Sequence, residues 1–204
     1  MKDELKKMKR ALIIVDMIKG FADIGALADP YVHHVDDEVA RLVEQFLKEG
    51  DDIIAFQDWH TLDSEELKRF PVHCIAGSKE CELVDALQPF EKQMKLIKKN
   101  CTSGFLTEEY QTYLKENQHF LKEIVVVGWC TDICVKDFAI PQAKYFDEFN
   151  LPIPVIVPKN CVETYHQEAH FDGPHYRKDH KRNDMNAWAF RFMEQAGVQL
   201  VKKY

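Results

Sequence analysis

Ala11-Leu-Ile-Ile-Val15 and Ile124-Val-Val-Val-Gly128 are short, continuous apolar runs that are rich in β-branched residues. Such runs are typical of strands buried on both faces of a parallel sheet. Four further strands are expected, at 52–56, 94–97, 154–157 and 198–201. Apolar residues at helical spacing lie between the strands and predict helices at 32–48, 82–87, 107–117, 131–149 and 185–196.

This alternation of strands and helices predicts the fold class. We expect one α/β domain over residues 1–204, with a doubly wound, Rossmann-like, mostly parallel six-stranded sheet and helices on both faces. Pro141 falls inside the predicted helix 131–149 and should kink or interrupt it.

The composition excludes several classes of function. The 204 residues include 27 Lys and Arg against 34 Asp and Glu, which gives a net charge of −7. Nucleic acids and anionic membranes attract basic surfaces, so neither is expected as a partner. The longest apolar runs are too short to span a bilayer. The sequence has no G-x-G-x-x-G or Walker A motif to support binding of a dinucleotide or of ATP phosphates.

The first ten residues and the cysteines indicate the cellular compartment. Residues 1–10 are charged and lack the apolar segment of a secretion signal. The six cysteines, at 74, 81, 101, 130, 134 and 161, include no C-x-x-C pair. A chain of this size does not need disulfides for stability, so we expect free thiols in a reducing cytoplasm.

Polar residues follow four of the predicted strands at their carboxyl ends. Asp16 follows the first strand and Asp58-Trp59-His60 the second; Lys98-Lys99 follows the third and Gly128-Trp-Cys-Thr-Asp-Ile-Cys134 the fourth. In open α/β sheets, ligands bind beyond these ends. A carboxylate, a D-x-H pair, a lysine and a cysteine should therefore share one edge of the sheet, which makes that edge the candidate site.

Cys134 is the candidate nucleophile at this edge. With Thr131 as N-cap, it occupies the third position of a helix, where free N–H groups and the helix dipole favour a thiolate. The same N–H groups could stabilise an oxyanion. Asp16 is the candidate base, and one of the two adjacent lysines at 98 and 99 is the nearby cation. Cys130, just before the helix, is the rival nucleophile.

A second group of residues has the chemistry of a metal site: Asp58, His60, Glu66 and His73. The D-x-H pair leaves its strand with both side chains on one side, and Phe70-Pro-Val-His73 returns a second imidazole. Two imidazoles with a carboxylate suit Zn²⁺, Mn²⁺ or Fe²⁺. A hydrogen-bonded His–Asp pair in a loop is the alternative.

Four further histidines, at 166, 170, 175 and 180, also look like metal ligands. Gly173-Pro174 breaks the segment, however, and no helix is convincing there. We therefore expect a solvated polar loop.

Taken together, these motifs resemble the isochorismatase-like cysteine hydrolases, and within them the nicotinamidase/pyrazinamidase family. Residues 15–21 with 25–27 resemble V-D-M-Q-x-x-F…G-x-L, and residues 57–60 resemble T-x-D-W-H. Residues 70–74 resemble W-P-x-H-C, 99–105 resemble K-x-x-x-S-x-F, and 128–135 resemble G-x-x-T-D-x-C-V. The similarity covers about residues 10 to 160 in the same order, and the cysteine motif together with D-W-H…P-x-H-C is specific.

The resemblance implies a mechanism and assigns roles to individual residues. Cys134 would be the nucleophile in amide hydrolysis and Asp16 the base, and the register of the motif selects Lys99 as the stabilising cation. The oxyanion would be held by the backbone N–H groups of Cys130 and Cys134. The family pattern also implies a cis peptide bond between Trp129 and Cys130.

The resemblance also implies one divalent metal ion, in the first place Zn²⁺ and otherwise Mn²⁺ or Fe²⁺. Its ligands would be Asp58, His60, Glu66 and His73. The ion would hold the ring nitrogen of nicotinamide, and aromatic side chains would wall the ring: Phe21, Phe70 and Trp129. The expected partner is a small-molecule amide substrate, and a homo-oligomer is expected.

Three interpretations of function follow. The favoured one is hydrolysis of nicotinamide to nicotinate and ammonia through a thioester acyl-enzyme. The second is another amide or vinyl-ether hydrolase of the same superfamily, and the third is a non-catalytic metal-binding or thiol redox-sensing protein. Residues 161–182 match no part of the family pattern, and this departure bears on the substrate more than on the reaction.

Overall fold

A parallel sheet forms the centre of the protein. The structure is a computed structural model and describes residues 7–168, 170–172, 175–177 and 179–204. The strands are β1 (Lys9–Val15), β2 (Asp52–Asp58), β3 (Lys95–Lys99), β4 (Leu121–Trp129), β5 (Val155–Pro158), β6 (Val162–Glu163), β7 (His170–Asp172), β8 (His175–Arg177) and β9 (Gln199–Val201).

The main sheet has the strand order β3-β2-β1-β4-β5-β9, and every pair in it is parallel. This confirms the predicted six-stranded parallel sheet. The two-residue β6 pairs with the end of β4 as an additional strand, and β7 and β8 form a separate antiparallel hairpin. The chain runs outward from β1 in one direction and returns to its other side with β4, so the switch point lies between β1 and β4.

Helices cover both faces of the sheet, as predicted. They are α1 (Lys19–Ala22), α2 (Asp36–Glu49), α3 (Glu108–Asn117), α4 (Lys136–Glu148) and α5 (Arg182–Gln195). Buried side chains of α2 pack on one face, whereas those of α3, α4 and α5 pack on the other. None of the helices in the described part of the chain is long and apolar enough to cross a membrane.

The helices predicted at 32–48 and 82–87 differ from the structure, and the one predicted at 185–196 begins three residues earlier, at Arg182. The α-helix predicted from 32 begins only at Asp36, because residues Pro30–Val35 form a 3₁₀ turn first. The short helix predicted at 82–87 is absent. That segment instead pairs with the chain after β1, where Leu83 bridges Ile18 and the Val84 N–H donates to the Met17 carbonyl. The apolar residues at 83, 84 and 87 are buried by this pairing rather than by a helical face.

Pro141 was expected to kink or interrupt its helix, but α4 continues through it. A proline inside a helix removes the N–H that would bond to the carbonyl four residues earlier, which here belongs to Asp137. The Ser103 hydroxyl donates to that carbonyl at 2.6 Å. The carbonyl left free by the proline is thus satisfied from outside the helix, which lowers the cost of the interruption.

Gly128 allows the close approach of β4 to β1 at the candidate site. Its φ is +109°, and a Cβ atom there would lie 2.2 Å from the Val15 carbonyl oxygen. Only glycine fits this conformation and this contact. The residues that follow both strands, Asp16 and Cys130, are thereby brought to the same edge.

Candidate active site

Lys99 lies at the centre of the site. Its ammonium group pairs with Asp16 Oδ2 at 2.7 Å and with Asp58 Oδ1, and it lies 3.9 Å from the Cys134 sulfur. It is 2% exposed. The strand alternation that turns Lys99 inward turns Lys98 outward, over the Trp59 ring. Of the two lysines, Lys99 is the one whose side chain lies at the candidate site.

Asp16 has the protonation behaviour of a base. Its pKa is raised to about 7, because burial and then the charge of Asp58 outweigh the opposing charge of Lys99. Its Oδ1 is buried and has no hydrogen-bond partner among the described residues, so this atom can accept a proton. The backbone holds it in the left-handed region at φ +51°, an orientation that Asp tolerates better than most residues.

The surroundings of Cys134 act against the thiolate. Burial raises the pKa of this thiol well above its usual range, and the nearby carboxylates add to the effect despite the lowering by Lys99. This shift is opposite to the one expected from the helix terminus, because burial disfavours the charged form. A base close to the thiol is required, and Asp16 is the candidate because it contacts both Lys99 and the Cys134 side chain.

The turn that carries Cys134 differs in detail from the predicted helix start. Thr131–Val135 form one π-helical turn that leads into α4, and no side chain caps it. Thr131 is the first residue of this turn and not its N-cap, so Cys134 occupies the fourth position. The peptide bond between Trp129 and Cys130 is cis, as the resemblance implies.

The four predicted metal ligands form one buried cluster. One ligand atom from each lies within 4.8 Å of the others. The members are Asp58, His60, Glu66 and His73. Burial raises the pKa of Asp58, but the charge of Lys99 and the bonds from the two histidines outweigh it, so the pKa lies well below its usual range.

The hydrogen bonds around this cluster fit a divalent ion. His60 Nδ1 bonds to Asn100 Oδ1 at 3.0 Å, and His73 Nδ1 donates to the Pro71 carbonyl at 2.7 Å. Both imidazoles therefore turn Nε2 toward Asp58, at 3.5 and 3.6 Å. His60 Nε2 and Glu66 Oε2 are buried without a hydrogen-bond partner among the described residues. In Zn²⁺ and related sites, ligand atoms without a protein partner converge on one position. Hydrogen bonds to the other ring nitrogen fix the tautomer of each ligating histidine.

Sequence analysis missed the outer partners of the cluster. Ser64 donates to Asn100 Oδ1 at 2.8 Å and lies 3.3 Å from His60 Nδ1. A signal was available, because Asn100 directly follows Lys99 and Ser64 lies four residues after His60. Neither residue type indicates a role in orienting His60 until the folded loop brings both residues next to its ring.

A cleft of about 760 Å³ joins the metal cluster to Cys134. One group of lining residues, which we call the metal wall, consists of Asp58, Glu66, Phe70 and His73. A second group, the C-terminal wall, consists of Tyr165, His166, Gln167, Asp179 and His180. Cys130, Ile133 and Cys134 also line the cleft, whereas Asp16 and Lys99 are buried and do not line it.

Two of the three aromatic residues predicted to wall the ring line the cleft. Phe21 and Phe70 do so, and their ring centroids lie 5.8 and 6.2 Å from that of His73. Trp129 does not: it is fully buried in the core with its edge against His33. Ile133 and Tyr165 line the cleft instead. Sequence analysis assigned a role to neither residue. Tyr165 lies in the segment without family motifs, and Ile133 lies inside the cysteine motif but has no polar group.

The histidines after β6 are only partly a solvated loop. His166 is partly exposed and pairs with Glu168 at 2.8 Å. His180, in contrast, is buried and pairs with Asp132 at 2.8 Å, so the expectation of a solvated loop is wrong for it. The side chains of His170 and His175 lie outside the described part of the structure.

Comparisons with known proteins identify the family of the chain. The family model of the isochorismatase domain matches residues 10–180. Nicotinamidase 1 of Arabidopsis thaliana is 32% identical over 215 residues, which cover 94% of this chain and 85% of the relative. The crystal structure of nicotinamidase PncA from Bacillus subtilis aligns with a TM-score of 0.73 and 27% identity, over 95% of this chain and 99% of that one.

A further solved structure shares the fold. Pyrazinamidase of Pyrococcus horikoshii in complex with zinc has a TM-score of 0.71 at 23% identity, over 95% of this chain and 99% of that one. The family model covers most of the chain, and the motifs that it spans are those gathered at the cleft. The chain therefore belongs to the isochorismatase family of hydrolases, in the group that includes the nicotinamidases.

Proposed function

We propose that the protein is a metal-dependent cysteine amidohydrolase that converts nicotinamide to nicotinate and ammonia. The observation that carries the proposal is that one cleft joins two groups: Cys134, backed by Lys99 and Asp16, and the four-residue metal cluster. The first group suits cleavage of a carboxamide, and the second suits binding of a ring nitrogen. The nicotinamidases among the relatives support the same substrate.

In the first half of the reaction, Asp16 takes the thiol proton of Cys134 and the sulfur attacks the carboxamide carbon. Lys99 stabilises the charge that is shared between the two groups. The backbone N–H groups of Cys130 and Cys134 would hold the oxyanion.

In the second half, Asp16 returns the proton to the departing ammonia, which leaves a thioester on Cys134. A water molecule then hydrolyses this acyl-enzyme, with Asp16 as its base. Asp16 can serve in both directions because its raised pKa, about 7, makes both protonation states accessible near neutral pH.

The metal ligands would be Asp58, His60, Glu66 and His73. A divalent ion held there, Zn²⁺ in the first place and otherwise Mn²⁺ or Fe²⁺, supplies a Lewis acid for the pyridine nitrogen. Phe21 and Phe70 would pack against the ring and restrict its orientation in the cleft.

Ammonia release from three amides tests the proposal. Metal-loaded protein should hydrolyse nicotinamide and pyrazinamide, whereas benzamide should be slower by more than about a hundredfold in kcat/KM. Benzamide has the same size and the same amide but no ring nitrogen. Equal rates on benzamide and nicotinamide, or no hydrolysis of either, would contradict the proposal.

A further inference from the structure

The turn that carries Cys134 is held by residues of the chain after β6. Asp132 lies in this turn, two residues before Cys134. Its Oδ1 accepts a hydrogen bond from the Thr164 hydroxyl at 2.5 Å, and its Oδ2 lies 2.8 Å from His180 Nε2. The side chains of Asp132 and His180 are only 7% and 11% exposed. No step of the proposed mechanism uses this pair.

The surroundings of His180 define its hydrogen bonding. Its Nδ1 lies 3.0 Å from the Tyr165 carbonyl oxygen, and its Nε2 faces the Asp132 carboxylate. Both partners are acceptors, so each ring nitrogen faces an oxygen atom of the protein. Burial raises the pKa of Asp132, but the bonds from His180 and Thr164 outweigh it and hold the pKa below its usual range. The contact is therefore a buried, charge-assisted pair.

The same imidazole fixes Tyr165. The two rings stack at a centroid distance of 3.7 Å and an interplanar angle of 9°. Two backbone hydrogen bonds between Gln167 and His180, at 3.0 and 2.7 Å, hold the chain on which His180 stands. His180 thus joins Tyr165 on the C-terminal wall to Asp132 beside the nucleophile.

We propose that His180 is a positioning residue for amide hydrolysis, which acts through Asp132 on the turn that carries Cys134. The inference rests on the proposed function, in which Cys134 is the nucleophile. No side chain caps the turn, and the contacts of Asp132 with Thr164 and His180 tie it to the chain after β6. A displacement of a reacting group by about 1 Å can cost roughly a hundredfold in rate.

His180→Leu removes both hydrogen bonds with little change in volume, and His180→Gln restores a donor toward Asp132. We expect His180→Leu to lower kcat by roughly tenfold to a hundredfold, and His180→Gln to recover most of the loss. Metal content should stay unchanged in both variants. A residue that merely walled the substrate would raise KM and leave kcat as it was, and that result would overturn the proposal.

His34→Leu is the matched control. His34 has the same two kinds of partner, since its Nδ1 lies 2.9 Å from the Tyr31 carbonyl oxygen and its Nε2 lies 3.4 Å from Glu163. It does not line the cleft, and within the described residues its side chain makes no hydrogen bond to the turn of Cys134. We expect its kcat to equal that of the wild type. A loss as large as that of His180→Leu would show a general effect of losing a histidine pair and would overturn the proposal.

The rate at which iodoacetamide alkylates Cys134, followed by mass spectrometry, gives a readout that does not need a substrate. His180→Leu should slow this alkylation by about tenfold, because the sulfur loses its alignment with Lys99 and Asp16. If the wild type hydrolyses no amide but His180→Leu still slows alkylation, the proposed function fails and the positioning role stands. If alkylation is unchanged, the positioning role fails whatever the amidase activity.

Asp132→Asn, alone and combined with His180→Leu, tests the route of the effect. Residues that act through one contact are not additive, so the double variant should be no slower than the slower single variant. Multiplication of the two single effects would show that His180 acts independently of Asp132, which would overturn the proposal.

Discussion

His60 and His73 of the metal cluster and His180 on the C-terminal wall differ in what their ring nitrogens face. In the first two, Nδ1 is bonded to Asn100 or to the Pro71 carbonyl, and Nε2 is turned toward a shared point. In His180, both nitrogens are bonded to acceptors of the protein. The two cluster histidines therefore each leave one nitrogen for a ligand, whereas both nitrogens of His180 face oxygen atoms of the protein.

This difference shows why a count of histidines is a poor guide to metal sites. The chain after β6 contains four histidines within fifteen residues, yet the buried one of known environment has no nitrogen left for an ion. The metal cluster contains only two histidines, His60 after β2 and His73 in the loop that follows. Their outer partners leave the correct nitrogen available.

The largest expected loss of activity concerns the proposed nucleophile, Cys134, which lines the cleft together with both walls. Cys134→Ala should lower kcat by roughly 10⁴-fold or more, because it removes the nucleophile that forms the acyl-enzyme in the proposed mechanism. Metal content should remain at the wild-type level, since the cluster does not include this sulfur. Cys130→Ala should keep part of its activity, because only the backbone N–H of residue 130 is assigned a role. Survival of Cys134→Ala together with loss in Cys130→Ala would reverse the assignment.

The next largest effect distinguishes the metal ligand His73 from His180 on the C-terminal wall. His73→Ala should lose bound metal and at least about a hundredfold of kcat/KM together, because it removes one of two imidazole ligands. His180→Leu should keep its metal. Metal content after dialysis, measured by elemental analysis, decides the matter. Metal loss in His180→Leu, or full metal content in His73→Ala, would break the comparison.

The pH dependence of the reaction tests the base behind the cleft. Above about pH 7 Asp16 is ionised and can take the thiol proton, whereas below this pH it is protonated. The rate should therefore rise with pH through the neutral region, and kcat/KM should fall by about tenfold for each pH unit below it. A profile that is flat from about pH 5 to about pH 8 would contradict the assignment of Asp16 as the base.

The smallest effect distinguishes the aromatic residues at the cleft from the one in the core. Phe21→Ala should raise KM for nicotinamide several-fold, because Phe21 lines the cleft. Trp129→Phe should leave KM unchanged and lower the free energy of unfolding by about 1–2 kcal/mol, because its ring fills the core. Steady-state kinetics and urea unfolding measure the two. A raised KM in Trp129→Phe would return Trp129 to the substrate site.

The sheet and most of the site could be predicted because their signals are local. Continuous apolar runs specify buried parallel strands, and parallel strands place the residues at their carboxyl ends on one edge. Asp16, Lys99, Cys134 and the four cluster residues were expected for this reason and through the family motifs. The false helix at 82–87 arose because the same apolar spacing can be buried by pairing with a neighbouring chain segment.

The sequence by itself determined the order of strands and helices, the edge where the chemistry gathers and the residue types present there. Only the tertiary structure decided the environment of each group. Burial raised the pKa values of Cys134 and Asp16, and that burial depends on neighbours far apart in sequence. The tertiary structure also placed Trp129 in the core, Tyr165 in the cleft and His180 beside Asp132. Solvation and charge act through space, so they cannot be inferred until the chain is folded.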